Sequence, residues 1–176
     1  MKRLLPLFCI LVLSACTSTQ ISYDMDKSVD FTKFKTYAFT PETATIPIQE
    51  LNRNRLIAAT EKQLAARGFS KSESPDVLVD MLVKAAKKQE AVTSGGGGYY
   101  GRGYGWGGGG MTTTTITDYV EGSLFINMIS NNKLVWQGRA TKTLDENASP
   151  EKREQNINYA VEDIFKKFPV QPAAKK

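Results

Sequence analysis

The sequence predicts an α+β fold, a two-layer sandwich in which two helices cover one face of a mixed, mostly antiparallel sheet of about five strands. Three observations lead there. Apolar residues recur at helical spacing in two stretches, residues 51–67 and those after Ser149. They alternate with polar residues in several others, and Gly, Pro and Asn-Asn punctuate the boundaries between them. The expected element order is ββαβββα.

The first strand is expected around residues 21–25. In the next segment Tyr37 and Phe39 fall on one face and Thr36 and Ala38 on the other, so a second strand covers residues 36–39 and stops at Pro41. Over residues 51–67 the period changes from two to about 3.6, with Leu56, Ile57, Thr60 and Leu64 on one stripe. Gly68 then stands where a helix ending needs a left-handed residue, and Phe69 can fold back on Leu64. A third strand follows over residues 76–87, apolar on both faces near its start and therefore central in the sheet. The crossover from the second strand to the third carries the helix, which makes that pair parallel.

Eleven of the sixteen residues 95–110 are glycine, and the others are Tyr99, Tyr100, Arg102, Tyr104 and Trp106. Glycine at this density loses too much backbone entropy to hold a regular element, so residues 94–115 are expected as a loop. Val120, Gly122, Leu124, Ile126 and Met128 share one face of a fourth strand. Asn131-Asn132 tolerates positive φ and makes a tight hairpin. The return strand, residues 134–143, is expected to put Leu134, Trp136, Gly138 and Ala140 on one buried face. Ser149 caps the second helix, with Pro150 at its first position, and Ile157, Ala160, Val161, Ile164 and Phe168 form its stripe until Pro169.

The chain has 176 residues, 41% hydrophobic and 23% charged, which is the composition of one modest globular domain. It contains no histidine, so imidazole catalysis, His metal ligation and a histidine pH switch are excluded. Its two cysteines, Cys9 and Cys16, both fall in the first sixteen residues, which excludes a disulfide scaffold or a Cys-based zinc site. No cofactor or metal is expected.

Met1-Lys2-Arg3 precedes an apolar run over residues 4–13 and then Ser14-Ala15-Cys16. A basic start, a short apolar core and small residues form a secretory signal over residues 1–15. Leu13-Ser14-Ala15-Cys16 resembles the bacterial lipobox, in which the cysteine becomes lipidated and the new N-terminus. Each buried methylene contributes about 0.8 kcal/mol, so such an anchor holds a protein to a membrane. Thr17, where an Asp would favour inner-membrane retention, points to the periplasmic leaflet of the outer membrane. Residues 16–28 then form the anchor, a tether and the first short strand, residues 29–169 a single domain, and residues 170–176 a polar tail. Removing Lys2 and Arg3 lowers the net charge from +5 to +3, and no Lys/Arg stripe with interleaved aromatics appears. Nucleic acid is accordingly not an expected partner.

Several ordered motifs carry a resemblance. They are the lipobox, Val29-Asp30-Phe31 with Phe34-Lys35-Thr36-Tyr37-Ala38-Phe39, Arg67-Gly68-Phe69, and Ser74-Pro75-Asp76-Val77-Leu78-Val79. Gly122-Ser123-Leu124, Leu134-Val135-Trp136-Gln137-Gly138 and the closing Phe168-Pro169 complete the series. Together they resemble the bacterial envelope lipoproteins grouped as domain of unknown function 4136, over residues 21–169. The resemblance implies a small α/β envelope domain, brings no catalytic residues, and is compatible with a Tyr/Trp/Gly-rich insertion at residues 95–110.

No catalytic constellation is expected. Gly103-Tyr104-Gly105-Trp106-Gly107-Gly108 has the form of a dinucleotide fingerprint but is followed by threonines of β character instead of a helix. Asp118 and Glu121 could be the paired carboxylates of a glycan hydrolase, yet three-residue spacing on a strand sends them to opposite faces. Tyr99, Tyr100, Arg102, Tyr104 and Trp106 are the candidate binding loop, since rigid amphipathic rings on an adaptable backbone suit recognition. Cys16 is the candidate lipid attachment. The function expected is a lipid-anchored, non-catalytic interaction module of the periplasm, with an envelope protein or a glycan as partner. The alternative is a structural or small-ligand-binding lipoprotein with a passive loop.

Overall fold

The computed structural model describes residues 19–95 and 112–172. The elements are β1 (Gln20–Met25), β2 (Thr36–Phe39), α1 (Glu50–Ala65), β3 (Ser70–Lys71), β4 (Val77–Gly95), β5 (Thr112–Ser130), β6 (Lys133–Thr143) and α2 (Pro150–Phe165). Short 3-10 turns at Phe31–Lys33 and Pro41–Thr45 bracket β2. The sheet has the order β1-β6-β5-β4-β2-β3. From β4 to β1 every pairing is antiparallel, while β2 lies parallel to both β4 and β3. The α+β sandwich is therefore as expected, with six strands instead of five. The extra strand, β3, is two residues long and shows no sequence period; it forms because the end of α1 delivers Ser70-Lys71 alongside Thr36-Tyr37.

The ending of α1 is built as its sequence implies. Gly68 adopts φ +82°, the Gly68 amide donates to the Ala65 carbonyl at 3.0 Å, and the Phe69 amide donates to Leu64 at 3.1 Å. Ser149 caps α2, its hydroxyl accepting from the Lys152 amide. Asn131 and Asn132 take φ 50° and 59°, making the two-residue turn between β5 and β6.

The core lies between the helices and one face of the sheet. Val77, Val79 and Met81 of β4, Ile126 and Met128 of β5 and Trp136 of β6 are all buried, and α1 adds Leu56, Ala59 and Leu64. From α2 come Val161, Ile164 and Phe165, and just beyond it Phe168. Trp136 stands 5.0 Å from Phe168 and 5.9 Å from Phe165 between ring centroids. Such aromatic pairs contribute about 0.5–1.5 kcal/mol beyond the area they bury.

Four local expectations need correction. Leu134 does not share the buried face of Trp136 but is 52% exposed, because a bulge leaves Val135 unpaired between Leu134 and Trp136 and turns Val135 inward instead. The α2 helix ends at Phe165, four residues before Pro169, and Phe168 enters the core from the following turn. On α1 the buried stripe includes Ala59, with Ile57 at its margin. The loop is shorter than residues 94–115, since Ser94 and Gly95 belong to β4 and Thr112 through Thr115 to β5.

Candidate functional site

The unusual feature of the fold is the length of β4 and β5, 19 residues each. Their other neighbours stop early. β2 accompanies β4 only as far as Val79, and β6 accompanies β5 only from Glu121 onward. The pairs from Lys87↔Val120 to Gly95↔Thr112 therefore run on as a two-stranded ribbon; apart from the Val120 carbonyl, which accepts from the Leu144 amide at 2.8 Å, no further strand among the described residues flanks it. At about 3.4 Å per residue, these nine pairs project roughly 27 Å from the sheet. Within the ribbon Val92 is 53% and Ile116 64% exposed, while Tyr119 and Val120 at the root are half-buried. Thr93 and Thr114 face each other across it with hydroxyls 3.3 Å apart, and Lys88 Nζ meets Glu121 Oε1 at 2.7 Å at its root.

Open strand edges invite pairing by another chain, and lysines on an edge are a common protection against it. Here Lys84, Lys87 and Lys88 crowd the root of β4, while the outer half toward Gly95 carries only Glu90 as a charge. The ribbon is thus guarded near the domain and open toward its tip. The sequence pattern concealed this, because the alternation weakens after Ala85 and the glycines beyond read as loop.

The candidate loop residues Tyr99, Tyr100, Arg102, Tyr104 and Trp106, and the candidate lipid attachment Cys16, lie outside the described residues. The placement of their flanks is described. The ribbon leads directly into the aromatic loop. β1 begins at Gln20, paired with Thr141, and β6 ends at Thr143, paired with Glu121 at the ribbon's root. The chain segment leading back toward Cys16 and the ribbon thus leave the sheet at the same end.

Asp118 and Glu121 occupy opposite faces, as their spacing requires. Glu121 is bound to Lys88, whereas Asp118 lines a polar cavity of about 830 Å³ between the ribbon root and residues 144–147. The carboxyls with displaced pKa values are Asp26, Asp30, Asp76 and Glu151, and all are held low by hydrogen bonds. Ser28 does this for Asp26, Thr32 for Asp30, the Lys35 and Thr36 amides for Asp76, and chiefly its own amide for Glu151. These groups fasten turns and a helix start.

Two further surfaces were not singled out from sequence. On the uncovered face of the sheet, Thr40, Asp80, Asn127 and Gln137 form a hydrogen-bonded row across the strands, with links of 3.1, 3.0 and 2.8 Å. Beside it Phe125 is flanked by Lys84 and Arg139, whose charges stand 5.6 and 5.2 Å from the ring centroid. On the covered face, the helices leave a mostly apolar cleft of about 520 Å³ at the ribbon end of the sheet. Period-two alternation marks which side chains share a face, but strand register is needed to assemble them into a row or a cleft. Among the described residues, no helix is long and apolar enough to cross a membrane.

Comparison with known proteins bears on the fold and the family. A PDZ domain protein from Parabacteroides distasonis is similar over 90% of this chain, with 16% identity and a TM-score of 0.53. The similarity spans only 38% of that protein's length and shows the fold alone. A PelC dodecamer from Paraburkholderia phytofirmans is similar over 89% of this chain and 99% of its own, with 10% identity and a TM-score of 0.47. No curated protein matches the sequence. The family described as domain of unknown function (DUF4136) matches residues 21–170, nearly all of the folded domain. The chain belongs to the family of domain of unknown function 4136.

Proposed function

We propose that this protein is a lipid-anchored, non-catalytic interaction module of the bacterial envelope, tethered through Cys16 to the periplasmic leaflet of the outer membrane. Its working part is the β4–β5 ribbon with the Tyr/Trp loop that it carries. The observation behind this reading is the ribbon itself: nine residue pairs beyond the hydrophobic core, flanked among the described residues only at Val120, with Val92 and Ile116 exposed. A fold gains no stability from such an arm, and an isolated two-stranded ribbon is marginal in water, so its retention points to recognition. β-augmentation on the open edges and docking of Tyr99, Tyr100, Tyr104 and Trp106 are the two modes that these groups support.

The anchor sharpens the choice of partner. Three residues separate Cys16 from Gln20, a span of four Cα–Cα steps or at most about 14 Å of extended chain, against a ribbon of roughly 27 Å leaving the same end of the sheet. A lipid on Cys16 would therefore hold the ribbon at the membrane surface. That position favours an envelope protein at or in the membrane over a distant glycan strand.

The test is in-cell cross-linking with mass spectrometry, comparing the intact protein with one in which residues 94–110 are shortened to a few glycines. A partner captured only by the intact form supports the proposal. Identical captures from both forms would make the loop passive and overturn its part in recognition.

A further inference from the structure

The cleft on the covered face is walled by the N-terminal halves of α1 and α2 and floored by β4, β5 and β6. At the other end of the sandwich the helices close on Leu64, Phe165 and Phe168; here, although Arg55–Glu154 and Arg153–Gln49 bridge the two helices, about 520 Å³ stays open between them and the sheet. Leu56, Val83, Leu124, Ala140, Ile157 and Ala160 line it, and of these only Leu56 and Ala140 are fully buried. The space falls in the range of small-molecule sites, about 300–1,000 Å³.

The rim has the opposite character. Lys142, Lys152 and Arg153 stand on it. Among the described residues none of the three has a carboxylate within ion-pair distance. Lys142 Nζ donates to Asn156 Oδ1 at 3.1 Å, and Arg153 donates to the Glu146 carbonyl at 3.1 Å and to Gln49 Oε1 at 3.5 Å. Asp145 and Glu146 also line the cleft, without forming an ion pair with these cations. Lys152 and Arg153 lie in the opening turn of α2, where the helix dipole is already positive and cations are unfavourable. Glu151 shares that turn, but its carboxylate is held by its own amide and Ser149 and forms no ion pair with Lys142, Lys152 or Arg153, so among the described residues the three cations stand over the apolar floor without a carboxylate partner. That arrangement becomes favourable when an anion sits at the helix start.

We propose that this cleft binds a single-chain anionic amphiphile of the fatty-acid class, its chain against Leu124 and Ile157 and its carboxylate at Lys142, Lys152 and Arg153. A chain carbon takes up about the volume of a water molecule, roughly 30 Å³, so the cleft accommodates one chain of medium to long length and not the two of a phospholipid. Thr19, three residues from Cys16, is part of the wall. The proximity of the mouth to lipid rests on the anchor proposed above; the chemistry of the cleft does not.

The test uses the full-length chain in phosphatidylcholine vesicles with a diazirine-bearing palmitic acid as probe, photolysed and mapped by peptide mass spectrometry. Labelling is expected on the peptides carrying Val83, Leu124 and Ile157. Ile157→Trp, which fills the cleft, is expected to reduce that labelling at least fivefold, and the milder Ala160→Leu at least twofold, with unchanged circular dichroism. Lys152→Gln together with Arg153→Gln is expected to abolish the preference for the acid over its methyl ester. Labelling spread over the surface, or insensitive to Ile157→Trp and Ala160→Leu, overturns the site, and equal labelling by acid and ester overturns the anionic head group. The N-terminal peptide reports lipid on Cys16 in the same spectra. A labelled cleft with an unmodified Cys16 would overturn the anchor alone, and a lipidated Cys16 with an unlabelled cleft would overturn the amphiphile alone.

Discussion

Arg67 Nη2 donates to the main-chain carbonyl of Phe165 at 2.8 Å, tying the end of α1 to the end of α2. Arg67 is 8% exposed, and its guanidinium also lies 5.2 Å from the Phe165 ring centroid. Nη1 donates to the Gln63 carbonyl and side chain at 2.9 and 2.8 Å, while Nε has no partner among the described residues. Burial pushes the Arg67 pKa down. The compensation comes from the Gln63 and Phe165 carbonyls, at the negative ends of α1 and α2, not from a carboxylate. Arg67→Met is expected to lower stability by about 2–3 kcal/mol in urea unfolding, the range for hydrogen bonds to a charged group. Arg67→Lys should recover only part of this, because one ammonium cannot span both helix ends as the planar fork does.

A methyl group at Gly138 would fall inside the side chains of Ile164 and Trp136, both fully buried. Neither can move without displacing the aromatic cluster, so Gly138→Ala is expected to cost about 1–3 kcal/mol through overpacking. At Gly122 the same methyl would meet Leu144 at 2.7 Å, but Leu144 is 46% exposed and can swing aside. Gly122→Ala should change the urea midpoint little, within about 0.5 kcal/mol.

Trp136 fills the centre of the core, yet its indole N–H has no acceptor among the described residues. Trp136→Ala is expected to remove about 3–5 kcal/mol. Trp136→Phe loses less volume and also removes the unsatisfied donor. A thermal melt should place the Phe variant much closer to the wild type than to the Ala variant.

Asp76 Oδ2 accepts from the amides of Lys35 and Thr36, each at 2.8 Å, and from the Thr36 hydroxyl at 2.9 Å. These bonds favour the carboxylate and lower its pKa in the folded state. A depressed pKa contributes stability that is present above the unfolded value, about 3.9, and lost as pH falls through the lower folded value. Asp76→Asn should therefore destabilise the protein at neutral pH and reduce the loss of stability below about pH 4. A smaller acid slope from Asp26 and Asp30 should remain. Urea titrations between neutral and acid pH give both slopes.

The ribbon makes no contact with the core. Amides of residues 87–95 and 112–120 are expected to exchange with solvent orders of magnitude faster than those of Val79, Met81, Ile126 and Met128, which sit in the fully flanked part of the sheet. Equal protection in both regions would show the ribbon held by a further strand.

Much of the local structure is written into the sequence because local sterics decide it. Gly68 and Phe69 mark the end of α1, Ser149-Pro150 the start of α2, and Asn131-Asn132 the hairpin; each is fixed by φ or by a cap within a few residues. Faces were legible wherever alternation is clean, as at Ile126 and Met128. They were misread at Leu134, where one unpaired residue inverts the pattern.

The motif Ser74-Pro75-Asp76-Val77 gains its physical reason only in three dimensions, where Asp76 fastens the start of β4 to Lys35 and Thr36, forty residues earlier. The ribbon, the cationic rim of the cleft and the Arg67–Phe165 tie share that property. Each depends on which strand stops first or which helix end faces which, and sequence spacing carries no record of either. Composition and periodicity thus determined the fold class, the order of the main elements and the exclusion of histidine chemistry, a disulfide scaffold and a Cys-based zinc site, since these follow from residue type and local geometry. Only the tertiary structure decided where β4 and β5 outrun their neighbours, where a cleft opens between the helices and the sheet, and that both lie at the end of the sheet from which the chain leads back to Cys16. Strand register and helix packing set these relations, through contacts between residues far apart in the chain.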